Sequence, residues 1–112
     1  MEPILFKSEG LAKAFSSQKA LCKKYGAENG KVIMRRMAML MAAPNLAMVP
    51  HLPPEKRHEL EGGRKGTFGV WIKHPFRIVF VPYHNPLPRK PDGGLDLNQI
   101  TSIMILSVED YH

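Results

Sequence analysis

The sequence predicts an α+β fold: an N-terminal helical hairpin packed on a small, mostly antiparallel β-sheet, in one domain spanning residues 1–112. Three observations lead there. Through the first 43 positions, apolar residues recur at three- and four-residue spacing, as amphipathic helices require. From Thr67 onward the pattern changes to runs rich in aromatic and β-branched residues, which suit a pleated, half-buried surface. A chain of 112 residues with 44% hydrophobic content can bury one core but not two.

In chain order, "EPILFK" is a short apolar run bounded by Pro3 and the Ser8-Glu9-Gly10 cluster, consistent with a first strand. Ser8 is placed to cap a helix beginning near Glu9. That helix carries Leu11, Ala14, Phe15, Cys22 and Tyr25 on one face and stops at Gly26. A second helix runs from about Glu28 to Ala43, with Ile33, Met37, Leu40 and Met41 as its buried stripe, and Pro44-Asn45 ends it. Two or three residues between the helices make them an antiparallel pair.

After the loop "MVPHLPPEK", the segment "RHELEGG" reads as a short strand ending in a Gly62-Gly63 turn. "TFGVWIK" (67–73) and "FRIVFVP" (76–82) form a hairpin across the short "KHP" connection. The proline-rich stretch 83–99 is too polar for core and is expected as a flexible loop, with a contact surface for a partner as the alternative. "ITSIMILSVED" returns as a long strand that buries Ile103, Ile105 and Leu106. There is no internal repeat.

Charge is unevenly placed. Residues 56–90 carry eight Lys/Arg against two Asp/Glu, whereas residues 91–112 carry no Lys/Arg against four Asp/Glu. With a net charge of +6, the middle third is the basic surface and a polyanion is its natural partner. No apolar stretch approaches the ~20 residues needed to span a membrane. The N-terminus "MEPILFK" lacks a signal-peptide pattern. The single Cys22 excludes an internal disulfide and reads as a small core residue. A cytoplasmic protein is expected. The five histidines form no HxxxH pair and there is no CxxC, so no metal and no other cofactor are expected.

The chemistry concentrates in the second half. His58, Arg64 and Lys65 lie just before the strand pair, Lys73 and Arg77 lie on it, and Asp110-Tyr111-His112 ends the last strand. If one sheet face gathers them, two imidazoles, several cations and a phenol meet. That mixture suits cleavage of an RNA phosphodiester. A base takes the proton of the ribose 2′-OH, cations stabilise charge on the phosphoryl oxygens, and an acid protonates the departing 5′-oxygen. Histidine serves either proton-transfer role because its ordinary pKa lies near neutrality. The residues alone give a basic, nucleic-acid-binding α+β domain with catalysis open.

"RHELEGGRKGTFGVWIKHPFRIVF" followed by "ITSIMILSVEDYH" resembles the RelE/ParE superfamily of toxin–antitoxin toxins, in particular its HigB branch, the plasmid maintenance killer proteins. The matching residues are His58, Leu60, Gly62, Arg64 and Gly66, then Phe76-Arg77-Ile78, then Asp110-Tyr111-His112. The resemblance implies a ribosome-dependent mRNA endoribonuclease that cleaves the message in the A site of the small ribosomal subunit. It also implies a cognate antitoxin protein as partner. On that resemblance His58 and His112 are the acid/base pair, Asp110 and Tyr111 orient His112 and the scissile nucleotide, and Arg64 and Arg77 hold the phosphate. Arg57, Lys65 and Lys73 would contact the RNA backbone. A carboxylate beside the His112 imidazole favours the imidazolium, which biases His112 toward the acid role. Two alternatives stand beside this reading: a ParE-like, non-catalytic toxin that inhibits DNA gyrase, and a basic RNA-binding module without toxicity.

Overall fold

The structure, a computed structural model, describes residues 1–110. A short β1 (Leu5–Phe6) is followed by α1 (Glu9–Ala14), α2 (Gln18–Tyr25) and α3 (Ala27–Ala42). Then come β2 (His58–Glu59), β3 (Phe68–Trp71), β4 (Phe76–Pro82) and β5 (Ile103–Asp110), with single 3-10 turns at Leu46–Met48, Gly62–Arg64 and Leu97–Gln99. The sheet order is β1-β5-β4-β3-β2; β1 runs parallel to β5 and every other pairing is antiparallel. The fold is therefore α+β with a mixed, mostly antiparallel five-stranded sheet.

Three helices stand where the sequence predicted two. Ser8 caps α1 as expected, its side chain accepting the Leu11 amide. The expected continuous helix breaks at Ser16-Ser17, because serine side chains offer the backbone a competing partner. Ser16 Oγ donates to the Lys13 carbonyl at 2.7 Å, and Ser17 Oγ accepts the Ala20 amide at 3.0 Å to start α2. Gly26, at φ +94°, ends α2 in a conformation that suits glycine. It is also the only residue between α2 and α3.

Gly30 explains how closely those helices cross. A Cβ there would lie 2.5 Å from Cys22 Sγ and 2.7 Å from Cys22 backbone atoms. Cys22 is accordingly a half-buried crossing residue rather than the core residue expected. On α3, Ile33, Met37 and Leu40 are buried as predicted, but Met41 is 43% exposed and Arg36 takes a buried place in the stripe. The terminal ammonium of Met1 donates to the carbonyls of Leu40, Met41 and Ala43, satisfying the orphan acceptors where α3 ends.

One core cluster joins Leu21, Ile33 and Leu40 of the helices to Val70, Ile78 and Phe80 of the sheet. The 83–99 excursion is tied down rather than loose in its contacts. Arg89 and Leu95 form an isolated bridge, and Leu95 and Leu97 pack against the core. His84 Nε2 accepts the amides of Thr101 and Ser102 at 3.1 and 3.3 Å, a structural task for that imidazole.

The β4–β5 pairing contains a bulge with consequences for the site. Phe80 pairs with Ile105, but Val79 pairs with Ser107, so Leu106 has no residue opposite it and is only half-buried. Ile103 and Ile105 face the core with Phe80 and Pro82. Past the bulge the phase is reversed: Val108 and Asp110 pair with Ile78 and Phe76 on the helix side, while Ser107 and Glu109 take the opposite, outer face.

Candidate functional site

The outer face of the sheet is built from two register rows. One runs His58–Gly69–Val79–Ser107, and the next runs Trp71–Arg77–Glu109. At the β2 end they border an open groove of about 440 Å³ lined by Lys56, His58, Leu60, Glu61, Arg64 and Arg77, with Glu59 at its rim. Leu60 and Val79 are buried apart from the main core and give this face an apolar footing.

His58 is oriented by its own loop. Its Nδ1 lies 2.8 Å from the Lys56 carbonyl. A carbonyl oxygen only accepts, so Nδ1 carries the hydrogen and the neutral ring keeps its lone pair on Nε2. Lys56 adopts φ +45°, an uncommon conformation for a side-chain-bearing residue, and its ammonium lies 4.3 Å from the centroid of the Trp71 ring.

Gly69 is the floor between the imidazole and Arg77. A Cβ at this position would meet His58 Cε1 at 3.2 Å and Arg77 Cδ at 3.3 Å. Both groups therefore approach the same point on the strand. Gly69→Ala is expected to leave the melting temperature near wild type, yet push His58 and Arg77 apart by tenths of an ångström. If the groove is catalytic, the cleavage rate falls about tenfold, read in a single-turnover assay beside a thermal melt.

Arg64, on the 3-10 turn after β2, grips Glu109 with both nitrogens, Nη1 to Oε1 at 2.6 Å and Nη2 to Oε2 at 2.8 Å. Ser107 Oγ donates to Oε2 at 2.6 Å, and Arg77 Nη2 stands 4.0 Å from Oε1. These partners, Arg64 first, hold the Glu109 carboxyl down to about 2. The depressed value means that the pair stabilises the fold above the ordinary carboxylate pKa near 4.5, and that this contribution fades as pH falls from there toward 2. Because Arg64 is 43% exposed, the contribution is about 1 kcal/mol. Urea midpoints of wild type and Glu109→Gln should differ at pH 7 and converge near pH 2.

Of the residues singled out in the sequence, His58, Arg64 and Arg77 meet in the groove. Others do not. Arg57 Nε donates to the Val49 carbonyl at 3.0 Å, and burial pushes its guanidinium below the ordinary value, so it ties the 49–57 loop. Lys65 lines a neighbouring cavity of about 840 Å³ with Glu59, Arg89 and Asp92. Lys73 pairs with Glu28 at the start of α3, which lowers the Glu28 carboxyl. Asp110 pairs with Phe76, and strand alternation after the bulge turns it to the helix side, away from Arg77. Tyr111 and His112 lie outside the described residues. Sequence reasoning missed Glu109, Lys56 and Gly69. Nothing in "PPEK" marks Lys56, and Glu109 needed the register.

Among the described residues, no group of three His, Cys, Asp or Glu side chains is arranged to hold a metal ion. Among them too, no helix is long and apolar enough to cross a membrane. Compared with protein-family models the chain matches none, and no curated protein matches it.

Proposed function

We propose that the protein is an mRNA interferase, the toxin of a toxin–antitoxin pair in the HigB branch of the RelE/ParE superfamily. Its activity is metal-independent endoribonucleolytic cleavage of messages in the ribosomal A site, in the cytoplasm. The observation that carries this reading is the convergence of His58, Arg64 and Arg77 on one open groove of the outer sheet face. The motif resemblance over residues 58–112 and the net charge of +6 support it. The mostly antiparallel sheet, with three helices inserted between its first two strands, is compatible with this reading.

In this mechanism His58, with Nδ1 held by the Lys56 carbonyl, uses Nε2 as the general base toward the 2′-OH. Attack on the adjacent phosphorus builds charge on its oxygens, which Arg77 and Arg64 stabilise. His112 is the general acid for the 5′-oxygen, with Tyr111 ordering it. Lys56 and Lys65 contact the RNA backbone. A cognate antitoxin protein silences the site.

The test is induced expression of wild type and His112→Ala in a bacterial host, with mapping of mRNA 5′ ends during translation. Growth arrest with new ends inside translated codons, lost in the variant, is the expected result. Arrest that persists in the variant with messages intact would contradict the nuclease and leave a binding toxin.

A further inference from the structure

The two arginines assigned to phosphate already face an anion. Glu109 receives the forked pair from Arg64 at 2.6 and 2.8 Å, the Ser107 hydroxyl at 2.6 Å, and Arg77 at 4.0 Å. The last distance is within ion-pair reach but beyond a hydrogen bond. A planar guanidinium presents the same two parallel donors to a carboxylate and to a phosphate. The carboxylate therefore sits where a phosphoryl oxygen pair would sit, one register row from His58.

We infer that Glu109 is the internal occupant of an oxyanion site built by Arg64, Arg77 and the Ser107 hydroxyl, and that a phosphodiester of the bound RNA displaces it. The inference rests on the nucleic-acid reading above and names an exchange that reading does not contain. Without RNA, Arg64 is committed to Glu109. When a phosphodiester enters, Arg64 transfers its fork to the phosphate.

Three features favour exchange over a permanent lock. The pair is open to solvent, with Arg64 43% and Glu109 29% exposed, so its net contribution to the fold is small. Arg64 ends a three-residue turn that begins at Gly62, φ +68°, and Gly66, φ +90°, follows two residues on, backbone that can re-aim a side chain. Arg77 is only 17% exposed and fixed in β4, so it marks the site while Arg64 changes partner. The depressed Glu109 carboxyl keeps the internal anion charged at every physiological pH, so displacement and not protonation opens the site.

The test is fluorescence anisotropy with a labelled, single-stranded 2′-O-methyl oligoribonucleotide, which binds but offers no 2′-OH for cleavage. Glu109→Gln is compared with Glu61→Gln, which removes the same charge from the same groove without touching an arginine side chain. Each is also made in an Arg64→Ala background, and thermal melts establish that every variant is folded. The expected result is binding about five-fold tighter for Glu109→Gln. A clearly smaller gain is expected for Glu61→Gln, and the difference between the two should vanish with Arg64→Ala. Equal gains from the two substitutions, or a Glu109→Gln advantage that survives Arg64→Ala, overturns the exchange and leaves the nuclease reading standing. No binding by any variant overturns the exchange and the nucleic-acid reading together.

Discussion

On the proposed function, replacing His58 with alanine is expected to lower the rate of message cleavage by about two to four orders of magnitude while ribosome association is retained. That range is the usual contribution of one positioned proton-transfer group. The prediction follows from geometry before chemistry. The Lys56 carbonyl fixes which ring nitrogen carries hydrogen, and Gly69 brings the ring edge and the Arg77 stem to one point of β3. An imidazole held this way presents one defined lone pair to the groove. His58→Asn should fail nearly as badly, since an amide accepts a hydrogen bond but does not move a proton at neutral pH. Single-turnover cleavage on programmed ribosomes, beside co-sedimentation, separates chemistry from binding. Equal cleavage by wild type and His58→Ala would remove the imidazole from the mechanism.

Arg36→Ala is expected to be the most damaging substitution for the fold among those considered. Arg36 is 8% exposed, inside the buried stripe of α3. Its Nε donates to the Trp71 carbonyl at 2.6 Å and its Nη2 to the Pro54 carbonyl at 3.3 Å, while the Trp71 amide donates to the Glu55 carbonyl at 2.7 Å. One guanidinium thus joins α3, the end of β3 and the loop that leads to Lys56 and His58. Burial pushes it below its ordinary value, and Glu55 pulls the other way. Truncation strands the carbonyls and empties the space of the stem, a loss of about 3 kcal/mol. For a domain of this size that is a drop in melting temperature of ~10–15 °C. Arg36→Met should recover part of it by refilling the space. Cleavage measured well below the melting point should also fall, because the loop that orients His58 is no longer tied. An unchanged melting temperature would mean that the loop is held without Arg36.

How much of this was readable in the sequence differs by element. β4 was delimited correctly because "FRIVFVP" alternates cleanly and is bounded by Pro75 and the polar excursion. The Ser8 cap and the Gly26 stop were equally plain. The break at Ser16-Ser17 was missed because Phe15 and Tyr25 fit one helical face, and their rings do approach to 6.2 Å across the interruption. The site was legible as far as His58, Arg64 and Arg77. At the end of β5 the pairing decides which side chains face the groove. Counting strictly by twos from Ile103 and Ile105 places Ser107 and Glu109 in the core and Asp110 on the basic face. The bulge at Leu106 reverses this, giving Glu109 to the groove and Asp110 to the helix side. Phase in a strand is a property of the pairing, and the sequence of one strand does not contain it.

The central claim is that the His58–Arg64–Arg77 groove promotes attack by a ribose 2′-OH on the neighbouring phosphodiester. Its most direct test is a purified translation system programmed with one short message, made with either ribose or 2′-deoxyribose at the nucleotide cleaved by the wild-type protein, and analysed for fragment ends by mass. The account predicts cleavage of the all-ribose message to a fragment ending in a 2′,3′-cyclic phosphate, and no cleavage at that position in the deoxy-substituted message. Cleavage of the deoxy-substituted message at the same bond, or translation arrest with the all-ribose message intact, would contradict it.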